Sequence, residues 1–301
     1  LKLLLFFNDD ATPSLTLFPL KVHRPPMSIA CWENSAMSAQ IDEPSKKEGD
    51  GAWSTTLLGG LPITVIGMQQ SADEFVRITL EARGRDEIPY YSTSANGQVI
   101  ALASRDPEFR DLLLAADQIH ADGMPMVLLS RMLTRNPLSE RVATTDLVHA
   151  VAEASEKEGL SFYFLGATAE INKRAVARMR EKYPKLSFAG ASHGYLSEQQ
   201  EREVVAEIAR LKPDILWIGM GVPYEQKFVA RNREKLRGVG VIKTAGGLFD
   251  FLAGKNSRAP KWMQSVGLEW VYRTILEPRR LALRYLTTNP AALRQILLNS
   301  N

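Results

Sequence analysis

From Leu61 to Phe251 the chain alternates short apolar runs with amphipathic stretches, and this alternation restricts its fold more than any other feature. "ITVIGM", "PYYSTSA", "LSFYFLGA", "LSFAGAS", "DILWIGMG" and "VGVIKTAGG" read as buried strands. Between them, "DLVHAVAEASEKEG", "AEINKRAVARMREKYP" and "SEQQEREVVAEIARLKP" carry helical spacing. Ser197 followed by Gln200 marks a capping-box start, and Pro213 marks that helix's exit. Such alternation predicts an α/β, Rossmann-like, doubly wound and mostly parallel sheet. Sheets of this kind bind ligands beyond the carboxyl ends of their strands.

The flanks differ from this middle. Residues 1–60 show no sustained period and many small polar residues, which predicts a largely disordered extension. The sequence begins with Leu, so Met27 or Met37 is a candidate start and part of the extension is expected to be non-native. Residues 61–253 form the expected α/β core. Residues 254–301 read as two or three helices broken at Pro278 and Pro290, a helical appendage. This tail carries eight Lys or Arg against two acids, whereas the whole chain is only +3. A single cysteine, Cys31, excludes a disulfide framework and fits a reducing compartment. No run approaches the roughly 18 apolar residues that span a bilayer. The expected location is therefore cytoplasmic.

One corner of the core invites chemistry. In "AADQIHADGMPMVLLSRML" an apolar approach ends at His120-Ala121-Asp122-Gly123, and a second apolar stretch follows at once. Asp122 at a strand-to-helix junction is a helix N-cap on one reading. On the other it is a carboxylate facing the binding crevice, able to act as a general base.

Three strand ends carry glycine before a helix: "FLGATAE", "WIGMGVP" and "TAGGLFD". Glycine there lets a phosphate approach backbone N–H groups at a helix N-terminus, which points to a nucleotide ligand. None of the three is GxGxxG or GxxxxGK[ST], which disfavours a standard dinucleotide site and a P-loop. The four histidines have no ligand spacing and Asp-x-Asp is absent; Glu156-x-Glu158 and Glu201-x-Glu203 read as solvated helix faces. No metal and no cofactor are expected, so cations or dipoles of the protein would have to stabilise a nucleotide diphosphate.

Several segments together resemble the WecG/TagA/CpsF glycosyltransferases. They are "STSANGQVIALASRDPEFRDLLLAADQIHADGMPMV", "HGYL", "GMGVPYEQKF", "AGGLFDFLAG", "RAPKWMQSVGLEWVYR" and "EPRRLALRYL", in the family's order, over about residues 62–287. The resemblance implies an inverting, metal-independent transferase. Its donor would be a UDP-sugar and its acceptor a sugar on undecaprenyl diphosphate, at the inner face of the bacterial plasma membrane. It implies Asp122 as the base, with Ser94 and Asn96 matching the family's Thr-x-Asn. Nucleotide contacts fall on Tyr195 and Asp250. The family's Gly-x-Pro-x-Gln-Glu is exchanged here to Glu225-Gln226, which suggests a hexose branch and questions that loop's sugar contact. Arg273, Arg280 and Arg284 would close the site over the diphosphate.

Within the family the segments read nearest to the branch that adds glucose in xanthan-like exopolysaccharide assembly, by a β-1,4 linkage. The alternative is transfer of N-acetylmannosamine or its uronic acid to lipid-linked N-acetylglucosamine. Anionic membrane is the expected docking surface, nucleic acid is not an expected partner, and homo-oligomerisation is left open. The rival from another class is a non-catalytic nucleotide-binding protein docked through its basic tail.

Overall fold

The computed structural model describes residues 53–301, except the side chain of Arg280. The expectation of disorder for residues 1–60 therefore lies mostly outside the described residues. Its last part is ordered. Strand β1 (Thr55–Leu58) pairs antiparallel with β2 (Leu61–Thr64). The two-residue turn is Gly59-Gly60, at φ +63° and +81°, a conformation that side-chain-bearing residues resist. "ITVIGM" thus contributes to a hairpin rather than to the main sheet.

Helix α1 (Met68–Ala82) leads to β3 (Tyr90–Ala95), α2 (Gly97–Ala103), α3 (Pro107–Leu114) and β4 (Gln118–Ala121). Helices α4 (Met124–Leu133) and α5 (Thr144–Glu158) precede β5 (Ser161–Gly166), α6 (Ala169–Lys182) and β6 (Ser187–Ser192). Then come α7 (Glu198–Leu211), β7 (Ile215–Gly219), α8 (Tyr224–Asn232), β8 (Val241–Thr244) and α9 (Leu248–Leu252). The chain ends in α10 (Lys261–Ser265), α11 (Glu269–Leu276) and α12 (Pro278–Leu298). Strands β3 to β8 form one sheet in the order β4-β3-β8-β7-β5-β6, with every pair parallel. The α/β, Rossmann-like expectation holds.

Strand pleating explains why the central runs are apolar throughout. Phe162 and Phe164 of β5, with Ile215 and Trp217 of β7, face one side and pack with Phe75, Val151 and Phe249. Their neighbours Tyr163, Leu165, Leu216 and Ile218 face the other side, against Val205, Ile208 and Phe228. A strand buried on both faces cannot alternate polar with apolar residues. Each fully buried side chain of this size contributes about 1.5–3 kcal/mol.

A third cluster joins the hairpin (Leu58, Leu61, Ile63) to Val99, Ile100, Phe109 and Val127, and also to Ala292 and Ile296 of α12. The far end of the chain closes on the same hairpin, where Gly60 N donates to Asn299 O at 2.8 Å. Contrary to the expected break, α12 runs through Pro290. Proline removes one helical N–H and crowds the preceding turn. Burial of Ala292 and Ile296 against α2 holds the helix together beyond it.

Candidate active site

The carboxyl ends of β3, β7 and β8, with the residues following β4, open into one cavity of about 720 Å³. All three glycine turns reach it, through Ala167, Gly219 to Val222, and Gly246-Gly247. Gly166 shows why glycine is needed beside it. At φ +151°, a Cβ there would lie 2.2 Å from the Gly219 carbonyl oxygen.

Asp122 sits on the cavity wall directly after β4, its backbone N donating to Ala95 O at 2.8 Å. The N-cap of α4 is Gly123, and no side chain caps that helix, so the capping reading of Asp122 does not hold. The Asp122 carboxylate makes no hydrogen bond or ion pair among the described residues. Burial pushes its pKa above the ordinary value. Arg141 and Lys243 pull it back, Glu269 pushes it further up, and Arg258 pulls it down.

Below the wall lies a charged group that the reading of the sequence did not single out. Lys243 of β8 is fully buried, and its Nζ donates to Ser94 Oγ of β3 at 2.7 Å. Ser94 Oγ also meets Thr144 Oγ1 at 3.2 Å. Burial lowers the Lys243 pKa to about 7, against the raising influence of Asp122 and Glu225. Glu225 is buried as well, and its pKa is raised to about 7 by desolvation. Its oxygens accept from Gly246 N at 2.9 Å and Gly221 N at 3.1 Å, bracing two glycine turns. His120, beside them in β4, is held neutral by complete burial and by Lys243.

The remaining expected site residues divide. Asn96 lines the cavity but spends its side-chain oxygen capping α2, accepting from Val99 N at 3.2 Å. Tyr195 is 75% exposed at the rim, and Asp250 lines the wall while paired with Lys255 at 3.1 Å. Arg273 and Arg284 both line the cavity, stacked over Phe251 and Tyr285. The Nε of Arg284 is buried without a hydrogen-bond partner among the described residues. Arg280 lies in the first turn of α12, but its side chain is outside the described residues. Gln226 is not on the cavity. It is buried, and because successive helical residues point about 100° apart, a helix that turns Glu225 to the site turns Gln226 into the interior.

The mouth is framed by α10 and α11. Arg141 bonds Glu269 at 2.8 Å and Asp146 at 3.1 Å; Arg258 bonds the same two carboxylates at 2.9 Å each. Gln264 accepts from both guanidiniums. The sequence offered one signal for Lys243, a charge inside the apolar run "VGVIKTAGG", because lysine is almost never fully buried without a partner or a task. It offered none for Arg141, whose partner Glu269 lies 128 residues away.

Among the described residues no cluster of three or more His, Cys, Asp or Glu could hold a metal ion. Nor is any helix there long and apolar enough to cross a membrane.

Comparison with known proteins supplies the chemistry's class. The chain is 34% identical over 189 residues to the N-acetylglucosaminyldiphosphoundecaprenol N-acetyl-β-D-mannosaminyltransferase of Bacillus subtilis, covering 62% of this chain and 72% of that protein. The enzyme of the same name from Bacillus spizizenii is 30% identical over 190 residues, 63% of this chain and 72% of the relative. The one from Staphylococcus aureus is 28% identical over 191 residues, 64% and 74%. These relatives transfer N-acetylmannosamine, so the expected xanthan-type glucose branch finds no support in them. Residues 56–301 match the glycosyl transferase WecG/TagA/CpsF family, and the chain is a glycosyltransferase belonging to it.

Proposed function

We propose that this chain transfers N-acetylmannosamine from a UDP-sugar to N-acetylglucosamine carried on undecaprenyl diphosphate, with inversion at the anomeric carbon and without a metal. The names of its relatives support the sugars. The observation that carries the chemistry is the Asp122 carboxylate, unpaired among the described residues and facing the cavity.

In an inverting transfer the acceptor hydroxyl attacks the anomeric carbon as the bond to UDP breaks. Asp122 takes the hydroxyl proton, and its raised pKa makes it a stronger base than a solvated carboxylate. The leaving diphosphate gains negative charge, which the Arg273 and Arg284 guanidiniums lining the cavity are placed to offset. Glu225 serves the turns rather than the sugar, since its oxygens are taken up by Gly221 and Gly246. The Glu225-Gln226 exchange therefore has a structural use and gives no ground for a hexose donor.

The acceptor's lipid calls for a membrane surface. Trp262, Ile275, Leu283 and Leu286 are each more than 60% exposed on α10 to α12, beside exposed Lys261 and Arg279. Apolar side chains with nearby cations suit docking on the anionic inner face of the plasma membrane. The test is to incubate the full chain with short-chain polyprenyl-diphosphate N-acetylglucosamine or glucose and a panel of UDP-sugars. Mass spectrometry should detect an N-acetylmannosaminyl disaccharide. Product from UDP-glucose alone would overturn the donor, and no product from any pair would overturn the transfer.

A further inference from the structure

Two carboxylates at this site, Asp122 on the cavity wall and the buried Glu225, need counter-charge, and the cations around them are not equally free. Arg141 and Arg258 are both committed to Asp146 and Glu269, two cations against two acids. Lys243 has no carboxylate at ion-pair distance among the described residues. Its ammonium carries three hydrogens, and the single acceptor it reaches there is Ser94 Oγ. Its side chain extends along the sheet to Ser94, on the strand next to the one that Asp122 follows. β3 lies between β8, which carries Lys243, and β4, which ends at Asp122.

We propose that Lys243 is a positioning residue of the transfer: a cation beneath the cavity floor that supplies the counter-charge for Asp122 and commits the Ser94 hydroxyl to donate. The second part follows from the direction of the hydrogen bond. While Ser94 Oγ accepts from Lys243 Nζ, its own hydrogen is left for Thr144 Oγ1 or for a sugar oxygen in the cavity. The first part follows from burial. An isolated carboxylate enclosed by protein takes up a proton, and a nearby opposite charge counters that tendency. The charged groups that act on Asp122 are Arg141, Lys243, Arg258 and Glu269, and of the three cations Lys243 alone has no acid at ion-pair distance among the described residues. Lys243 acts through Asp122 and Ser94, and no contact with substrate is required of it.

This inference rests on Asp122 being the base, and the experiment separates the two. Lys243→Met removes the charge, while Lys243→Gln removes it but keeps a donor for Ser94. The pH profile of kcat/KM is measured for both variants in the full-length protein. In parallel, the side-chain carboxyls are followed by 13C NMR titration, with Asp122 assigned by its loss in Asp122→Asn. Without the neighbouring cation the carboxylate form is less favoured. The acid limb should therefore move up by about one pH unit or more, and the Asp122 carboxyl should titrate higher by the same amount. Activity on the acid side of the wild-type limb should fall about tenfold and recover as the pH rises. Lys243→Gln should show the same limb with a smaller loss at its plateau.

A uniform loss across pH with an unmoved carboxyl titration would overturn the proposal and leave Lys243 a packing residue. If Asp122→Asn turns over like the wild type, the base assignment fails. The carboxyl titration then still decides whether Lys243 is the counter-charge of Asp122.

Discussion

Arg141 and Glu269 meet at 2.8 Å across 128 residues of chain, joining the wall beside Asp122 to the first turn of α11. Arg258 takes the other Glu269 oxygen at 2.9 Å, so one carboxylate orients two guanidiniums at the cavity mouth. Glu269→Gln keeps the shape and one acceptor but leaves both arginines to Asp146. We expect a loss of about 1.5–3 kcal/mol, the range for a hydrogen bond to a charged group, read as a lower urea midpoint. Because Glu269 pushes the Asp122 pKa up, the acid limb of kcat/KM should move down, opposite to the Lys243 variants. An unchanged midpoint would show that the node contributes nothing to the docking of α10 and α11.

Asp122→Asn should reduce turnover by about 10²–10⁴-fold, the usual contribution of a general base, with UDP binding retained. The same change should raise stability at neutral pH. The raised pKa of Asp122 means that its folded-state proton is favoured, so a stabilising contribution present below the ordinary carboxylate pKa is lost as pH rises through the raised one. Asparagine does not ionise and escapes that loss. Thermal melts at pH 7 and pH 4 should show a gain at the higher pH that shrinks at the lower. Ser94→Ala should cost less activity, since its hydroxyl positions a substrate rather than taking the proton. Near wild-type turnover in Asp122→Asn would remove it from the mechanism.

The alternation of buried runs made the parallel sheet legible, because strands covered on both faces must be apolar at every position, as Phe162 to Leu165 are. Asp122 was legible as a charge at a strand's end, while its freedom from capping was not. That depends on Gly123 taking the N-cap position. Helix α12 was misread at Pro290 because local propensity says nothing of a partner surface. The burial of Ile296 against the first hairpin is a contact spanning most of the chain. A separation of 128 residues likewise hides the Arg141–Glu269 pair. Lys243 was visible as a letter, but its bond to Ser94 depends on β8 lying beside β3, an order that alternation alone does not specify.

Transfer should survive excess EDTA. In this site the charge on departing UDP would be met by Arg273 and Arg284, since the Gly221 and Gly246 N–H groups are taken by Glu225. The check is initial rate with EDTA, then with added Mg²⁺ or Mn²⁺. Complete loss on chelation with recovery on adding metal would show that protein groups do not suffice. Arg284→Ala should then reduce kcat by about 10²–10³-fold, the range for losing one donor to developing charge.

The C-terminal helices separate into a face that holds the fold and a face that remains open. Ile296 and Ala292 are buried in the core cluster, whereas Ile275, Leu283 and Leu286 are 70%, 71% and 73% exposed. Ile296→Ala should therefore cost about 2–4 kcal/mol through the cavity it leaves, with little effect on liposome binding under conditions where the protein stays folded. Replacing Ile275, Leu283 and Leu286 together by Ser should do the opposite. The unfolding free energy from urea titration should change by no more than about 0.5 kcal/mol per site, as for surface changes away from special features. Co-sedimentation with vesicles containing anionic lipid should be lost. Activity on a lipid-linked acceptor in those vesicles should fall, while activity on a short-chain soluble acceptor persists. If the triple variant still sediments with the vesicles, the exposed apolar face does not anchor the enzyme and the cations of the segment must hold it alone.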